Sequence, residues 1–138
     1  MIRAFMSLLV LSLVSTSAFA EQSCDTSLTL SCRALYRADS NVITEFVGQS
    51  AFTNDSCAAQ VEIVNGNSTL QISATQNPEN KIVTFSAIAL HSDGQSSKAA
   101  TGYASAGVAM NFGFLHLPTP LQSGSIVVRD ALVGCLVR

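Results

Sequence analysis

The sequence predicts an all-β domain, a single antiparallel β-sandwich of about seven to eight strands with two disulfides, with a small closed β-barrel as the alternative. Apolar residues recur at every second position more often than at every third or fourth. Only 12% of the residues are charged, while hydroxyl-bearing and β-branched residues are abundant, which favours sheets over helices. Turn signals recur about every 8 to 12 residues, which is the spacing typical of such folds.

The first two strands follow from alternation. From Leu28 to Tyr36 apolar and polar residues alternate, with Arg33 on the polar side, which predicts a half-buried strand. The stretch Ala38–Asn41 is rich in turn-forming residues. A second strand is expected from Val42 to Phe52, so these two strands form an antiparallel hairpin.

The strongest local signal is a second hairpin. Ala59–Val64 and Ser68–Ala74 are two strand-like segments joined by Asn65-Gly66-Asn67. Asn and Gly tolerate the positive φ that tight hairpin turns need if their twist is to match the flanking strands. The sequence therefore predicts a tight turn at Gly66.

The next segments are a strand and an ambiguous stretch. Asn77–Asn80 forms a turn around Pro78, a strand follows over Lys81–Leu90, and Ser92–Gln95 reverses the chain. Ala99–Leu115 is small, apolar and rich in glycine. It is expected to be strand whose glycines mark bulges, with a helix as the competing interpretation because alanine is a good helix former.

The last element is a closing strand after a loop. Pro118 and Pro120, with Ser123-Gly124, indicate a loop. Ile126–Val137 then reads as the final strand, and Arg129-Asp130 in its middle suggests a bulge or a break.

The first twenty residues do not have the alternating pattern of a strand. Residues 1–20 contain Arg3, an apolar run over Phe5–Val14 and the small-residue ending Ala18-Phe19-Ala20, which together predict a cleaved signal peptide. Residues 21–138 then form one secreted domain, which is periplasmic or extracellular and does not span a membrane after cleavage.

The four cysteines predict two disulfides, because an exported chain meets an oxidising compartment. If the first hairpin folds about position 40, Cys32 lies opposite Gly48, and Cys24 lies opposite Ser56, one residue from Cys57. The expected pairs are therefore Cys24–Cys57 and Cys32–Cys135, the latter stabilising by about 4 kcal/mol through its long loop. The alternative pairs Cys24 with Cys32 and Cys57 with Cys135. The spacing contains no Cys-x-x-Cys pair, so no metal site is expected.

The charge balance argues against two classes of partner. Without Arg3, six Lys and Arg residues face nine Asp and Glu residues, a net charge of −3. A chain with so few cations presents no basic patch, so neither nucleic acid nor anionic lipid is expected as a partner.

Catalytic candidates are few. In His91-Ser92-Asp93, neighbouring residues on extended chain point to opposite faces, so this run cannot form a triad by itself and more simply forms a turn. Ser105 follows Tyr103 where a nucleophile elbow requires glycine, so it is read as a packing residue.

Two further groups are candidate acids or bases. His116 could serve as a general base but has no evident partner in the sequence. Glu45 and Glu62 could approach one another across strands as paired carboxylates. Neither group defines a catalytic set, so the chain is expected to be non-enzymatic and without a cofactor.

The sequence favours an interaction or structural domain that holds an envelope or extracellular protein, while its oligomeric state is left open. The alternative is a small barrel binding an apolar ligand, lined by Ala99–Phe114. A carbohydrate-binding or enzyme-inhibitor module ranks third. Proline-stiffened apolar loops lose little entropy on docking, which makes one segment the candidate interaction loop: Leu115, His116, Leu117, Pro118, Pro120 and Leu121.

Overall fold

Eight antiparallel strands account for most of the residues that the structure describes. The computed structural model describes residues 24–38 and 41–138, so the expected signal peptide lies outside the described residues. The strands are β1 (Thr29–Ala38), β2 (Asn41–Ala51), β3 (Ala58–Asn65), β4 (Ser68–Gln76), β5 (Ile82–His91), β6 (Ala100–Ser105), β7 (Met110–Ser123) and β8 (Ile126–Val137).

The strands form two four-stranded sheets packed face to face. Sheet I has the order β2-β1-β8-β7, and sheet II has the order β3-β4-β5-β6. The predicted sandwich is therefore confirmed. The alternative, a closed barrel, would need one continuous sheet, whereas these strands separate into two.

Alternate residues of each strand fill the space between the sheets. In β4, Leu70, Ile72 and Ala74 are fully buried, and the largest buried side chains of the core are Tyr36 and Phe85. Burying each large apolar side chain contributes about 1.5 to 3 kcal/mol. The period of two in the sequence therefore reflects one face of each strand turned to a shared core.

The first hairpin has the expected register. Cys32 lies opposite Gly48, and the pairing shifts only beyond Tyr36. The inward side of Gly48 meets Val61 of sheet II directly, since a Cβ added there would collide with that side chain. Glycine at this position lets β2 pack closely on β3.

The second hairpin is also confirmed. Asn65 pairs with Ser68, leaving Gly66 and Asn67 as the turn, and Gly66 has a φ of 59°. Only glycine adopts such an angle without steric cost, so the turn chemistry sets this register.

The glycine-rich stretch contains two strands joined by a turn, so the helix interpretation is wrong. β6 ends at Ser105 and β7 starts at Met110, with Gly107 at a φ of 85° in the turn between them. A bulge between Asn111 and Gly113 then bends β7. Pairing with β5 and β8 outweighs the helix propensity of the alanines.

The loop expected around the two prolines is part of β7, which is a correction. Leu115 and Leu117 are buried in the core and are not displayed on a loop. The prolines fall where the pairing of β7 with β8 is interrupted between His116 and Leu121, because proline has no N–H to donate.

The bulge or break expected at Arg129-Asp130 is present as a shift in pairing and not as a break. β8 runs without interruption from Ile126 to Val137. Its register with β7 shifts between Asp130 and Val128, opposite the segment of β7 that contains the prolines.

Both predicted disulfides are present, and the alternative pairing is wrong. The Cα atoms of Cys24 and Cys57 are 5.4 Å apart, and those of Cys32 and Cys135 are 4.1 Å apart. Cys32 and Cys135 face each other directly across β1 and β8. This bridge joins the first strand to the last.

Removing the Cys32–Cys135 bridge by changing both residues to Ala should lower the free energy of unfolding by about 2 to 5 kcal/mol. Its loop spans 103 residues against 33 for Cys24–Cys57, so the entropy model predicts a larger loss than for the matched Cys24→Ala/Cys57→Ala variant. Urea unfolding of the three proteins measures the difference. Equal stability of the native protein with and without reductant would contradict the expectation.

The buried hydroxyl of Tyr36 has no hydrogen-bond partner among the described residues. Its ring packs edge-on against Phe46, so the phenol lies in apolar surroundings. Desolvation raises the pKa of Tyr36 to about 12. The folded state therefore favours the neutral phenol.

Tyr36→Phe should keep or raise stability at neutral pH, because it removes an unpaired buried hydroxyl. Above about pH 10 the unfolded tyrosine ionises while the folded one stays protonated, so native stability should fall as the pH rises from about 10 towards about 12. Urea unfolding at about pH 8 and about pH 11 should show a smaller fall for Tyr36→Phe. Tyr103→Phe, at an exposed tyrosine, is the control. A marked loss of stability in Tyr36→Phe at neutral pH would reveal an unseen partner for the hydroxyl.

Candidate functional site

The outer faces of the two sheets differ in chemistry. Sheet II presents mainly hydroxyl and amide side chains, including Thr69, Gln71, Ser73, Thr75, Thr84, Ser86 and Thr101. Sheet I instead carries leucines on its outer face, in β1 and β8. The first face also exposes apolar side chains, but Val64 and Tyr103 each lie opposite a threonine. On the second face apolar residues lie opposite one another, which leaves a larger apolar surface partly exposed.

Cross-strand pairing gathers these leucines. Leu35 of β1 lies opposite Leu132 of β8, and Leu132 lies opposite Phe114 of β7. Leu136 stands further along the same face of β8. Side chains on directly opposed residues lie about 4.5 to 5.5 Å apart at Cβ, so they form a continuous apolar surface.

Gly134 makes this surface concave. It lies between Leu132 and Leu136 on the same face of β8 and opposite Arg33 of β1. The resulting open depression has a volume of about 480 Å³. We call it the outer-face groove, defined by Leu35, Leu132, Gly134 and Leu136, with Ser31, Arg33 and Asn111 at its rim.

Neither crowding nor backbone conformation requires glycine at position 134. A Cβ added there would meet only the backbone oxygen of Met110, at the ordinary contact distance of 3.6 Å. Glycine inside a strand weakens it, and it often marks a place where a ligand or another backbone approaches closely. The groove floor has the room for such an approach.

One side of the groove is charged. Arg33 donates through Nε to a carboxylate oxygen of Glu45 on β2. This bond and the charge of Glu45 raise the pKa of the Arg33 guanidinium. Both side chains are exposed, so the pair adds little stability but gives the groove a polar side wall.

A second polar cluster borders the apolar surface at Phe114. The guanidinium of Arg37 lies 5.0 Å from the centre of the Phe114 ring, a cation–π contact. Asp130 is the cross-strand partner of Arg37, and Nδ1 of His116 lies 2.8 Å from its Oδ1. A smaller depression of about 260 Å³ adjoins this cluster.

His116 therefore has a partner that the sequence did not reveal. The histidine side chain is 78% exposed, and among the described residues its one hydrogen-bond partner is Asp130. A histidine–carboxylate pair acts in nucleophilic catalysis when a hydroxyl or thiol lies within reach of the other ring nitrogen. No such group hydrogen-bonds to His116 in the described part of the chain.

The other candidate acids and bases are dispersed. His91 Nδ1 lies 2.9 Å from an oxygen of Asp93 in the turn after β5. The backbone N–H of Gln95, and then His91, lower the pKa of Asp93. These contacts stabilise the turn, as the sequence indicated. Ser105, which was expected to be a packing residue, is instead exposed at the end of β6.

Glu45 and Glu62 do not come together as paired carboxylates, and both are exposed. Glu45 belongs to sheet I and pairs with Arg33. Glu62 belongs to sheet II and accepts a hydrogen bond from Gln71. The sandwich separates the two carboxylates, because each lies on the outer face of its own sheet.

Residues 24–38 and 41–138 contain neither a cluster of metal-ligating side chains nor a helix able to span a membrane. No three His, Cys, Asp or Glu side chains of these segments cluster closely enough to hold a metal ion. No helix there has the length and apolar character needed to cross a membrane.

No protein family model, curated protein or solved structure matches this chain. Any function must therefore be inferred from the chemistry of its own surfaces.

Proposed function

We propose that this protein is an exported, non-enzymatic binding domain whose outer-face groove holds an extended apolar segment of an envelope or extracellular protein. The observation that carries the proposal is the concave apolar surface around Gly134, on a face that a self-contained sandwich would cover with polar residues. Apolar patches rimmed by polar groups are typical of protein interaction sites.

Export is supported by two independent features. The leader residues 1–20 have the three regions of a signal peptide. Two disulfides are typical of oxidising compartments. A partner in the same compartment, periplasmic or extracellular, follows from this location.

An extended segment suits the groove better than a compact ligand. The groove is open and crosses three neighbouring strands, β1, β8 and β7. Apolar side chains of a partner can pack against Leu35, Leu132 and Leu136, while Ser31 and Asn111 offer hydrogen bonds to its backbone.

A barrel cavity for an apolar ligand and a sugar-binding site have less support. A barrel cavity would require a single closed sheet, and the inner faces of the two sheets pack against each other. Sugar sites stack sugar rings on exposed aromatic side chains. Tyr103 and Phe114 are exposed on the outer faces of different sheets, so they do not form one aromatic surface.

Filling the groove should abolish binding without unfolding the domain. Gly134→Leu places a side chain over the groove floor, where a Cβ has room. Ser73→Leu is the matched control, since it adds the same side chain to the outer face of sheet II. Photocrosslinking in cells that naturally make the protein, with a photoreactive residue at position 136, should label a partner protein.

That adduct should disappear in Gly134→Leu and persist in Ser73→Leu. Circular dichroism and melting of both variants verify that they fold. An adduct that survives Gly134→Leu, or equal labelling from a photoreactive residue at position 73, would contradict the proposal.

A further inference from the structure

We infer that the free edge of β6 pairs with β6 of a second copy of this chain, so that two copies of sheet II form one continuous eight-stranded antiparallel sheet. β6 is the last strand of sheet II, and no strand within residues 24–38 and 41–138 pairs with its outward backbone N–H and C=O groups. This surface is separate from the outer-face groove, which lies on sheet I.

The edge at β6 lacks the features that protect the other edges of the sandwich. Exposed strand edges are normally blocked by charges, prolines or bulges. β2 carries Glu45, β3 carries Glu62, and β7 is interrupted at Pro118 and Pro120. The six residues of β6 include no charge and no proline, and their pairing with β5 is regular.

The core is also less well covered at β6 than at the opposite edge of the same sheet. In β3 the inward residues Ala59, Val61 and Ile63 are buried. In β6 the inward residues Ala100, Gly102 and Ala104 are only half-buried, and the partly buried Met110 packs on Gly102. A strand added beyond β6 would cover this apolar surface.

The sequence of β6 is complementary to itself. The side chains of directly opposed residues in antiparallel strands point to the same face of the sheet. A two-fold axis through Tyr103 meets this requirement. Each Tyr103 then faces the other, Thr101 faces Ser105, and Gly102 faces Ala104. Tyr103 is 76% exposed in the monomer, and a cross-strand aromatic pair is a favourable contact.

Charge does not oppose this pairing. Lys98, the nearest charged residue before β6, would lie towards Val108 of the second copy. The two Lys98 side chains would stand at opposite ends of the paired strands, so no like charges would meet. A second copy satisfies these conditions because its strand is equally uncharged and offers the same hydroxyl and small side chains.

Analytical ultracentrifugation of the purified, disulfide-bonded protein tests this pairing. The native protein and Tyr103→Phe should show a concentration-dependent dimer. Tyr103→Lys should weaken the dimer at least about tenfold, because like charges would meet at the axis. Val64→Lys, at an exposed position on the opposite edge strand of sheet II, is the matched control and should leave the dimer unchanged.

A second measurement distinguishes this edge from other surfaces. Tyr103→Cys should form an intermolecular disulfide under mild oxidation, whereas Val64→Cys should not. A monomer at every concentration, a dimer unaffected by Tyr103→Lys, or a β6 edge that pairs only with a strand of another protein would overturn the inference. Circular dichroism of each variant confirms its folding.

Discussion

The pairing of β1 with β8 is the constraint on which the rest of this structure depends. It joins the two hairpins β1–β2 and β7–β8 into sheet I, and the Cys32–Cys135 bridge fixes it at one register. Without this long-range pairing, sheet II would have no complete layer to bury its inner face. The outer-face groove lies across the same boundary, since Leu35 comes from β1 and Gly134 from β8. The fold and the candidate site therefore both depend on the pairing of β1 with β8.

Local pattern was sufficient to predict much of the fold. Alternation identified the strands that border on tight turns, and Gly66 marked the second hairpin because its turn requires a positive φ. The disulfides followed from one further step. Folding the first hairpin about position 40 placed Cys24 beside Cys57 and left Cys32 for Cys135. Hairpin register is short-range information, so a single sequence contains it.

The predictions failed where long-range pairing decides the structure. The glycines and alanines of the β6–β7 region fit a strand or a helix, and only their partners β5 and β8 select the strand. Pro118 and Pro120 produced a bulge and not a loop, because β7 continues on both sides of them. The outer-face groove depends on the long-range pairing of β1 with β8. The pair His116–Asp130 lies within the β7–β8 hairpin but beyond the interruption at the prolines, where the register counted from the turn no longer holds. The sequence did contain one indication of the groove. β8 is apolar on both faces from Ala131 to Val137, whereas a strand exposed to water on one side needs only one apolar face.

Two features of the sandwich are unfavourable for a domain that acts alone. Gly134 weakens the middle of β8 although a larger side chain would fit there, and β6 leaves inward apolar residues half-covered. Each would be improved by a simple substitution, since a threonine at 134 favours strands and a lysine in β6 would block the edge. Both features become favourable once another chain covers the surface concerned. The groove and the β6 edge belong to different sheets, so both surfaces of one copy can be covered at the same time. A pair joined through β6 would present two grooves. Such a pair would bind a partner with repeated or paired segments more tightly than either copy alone, because the second contact forms within an existing complex.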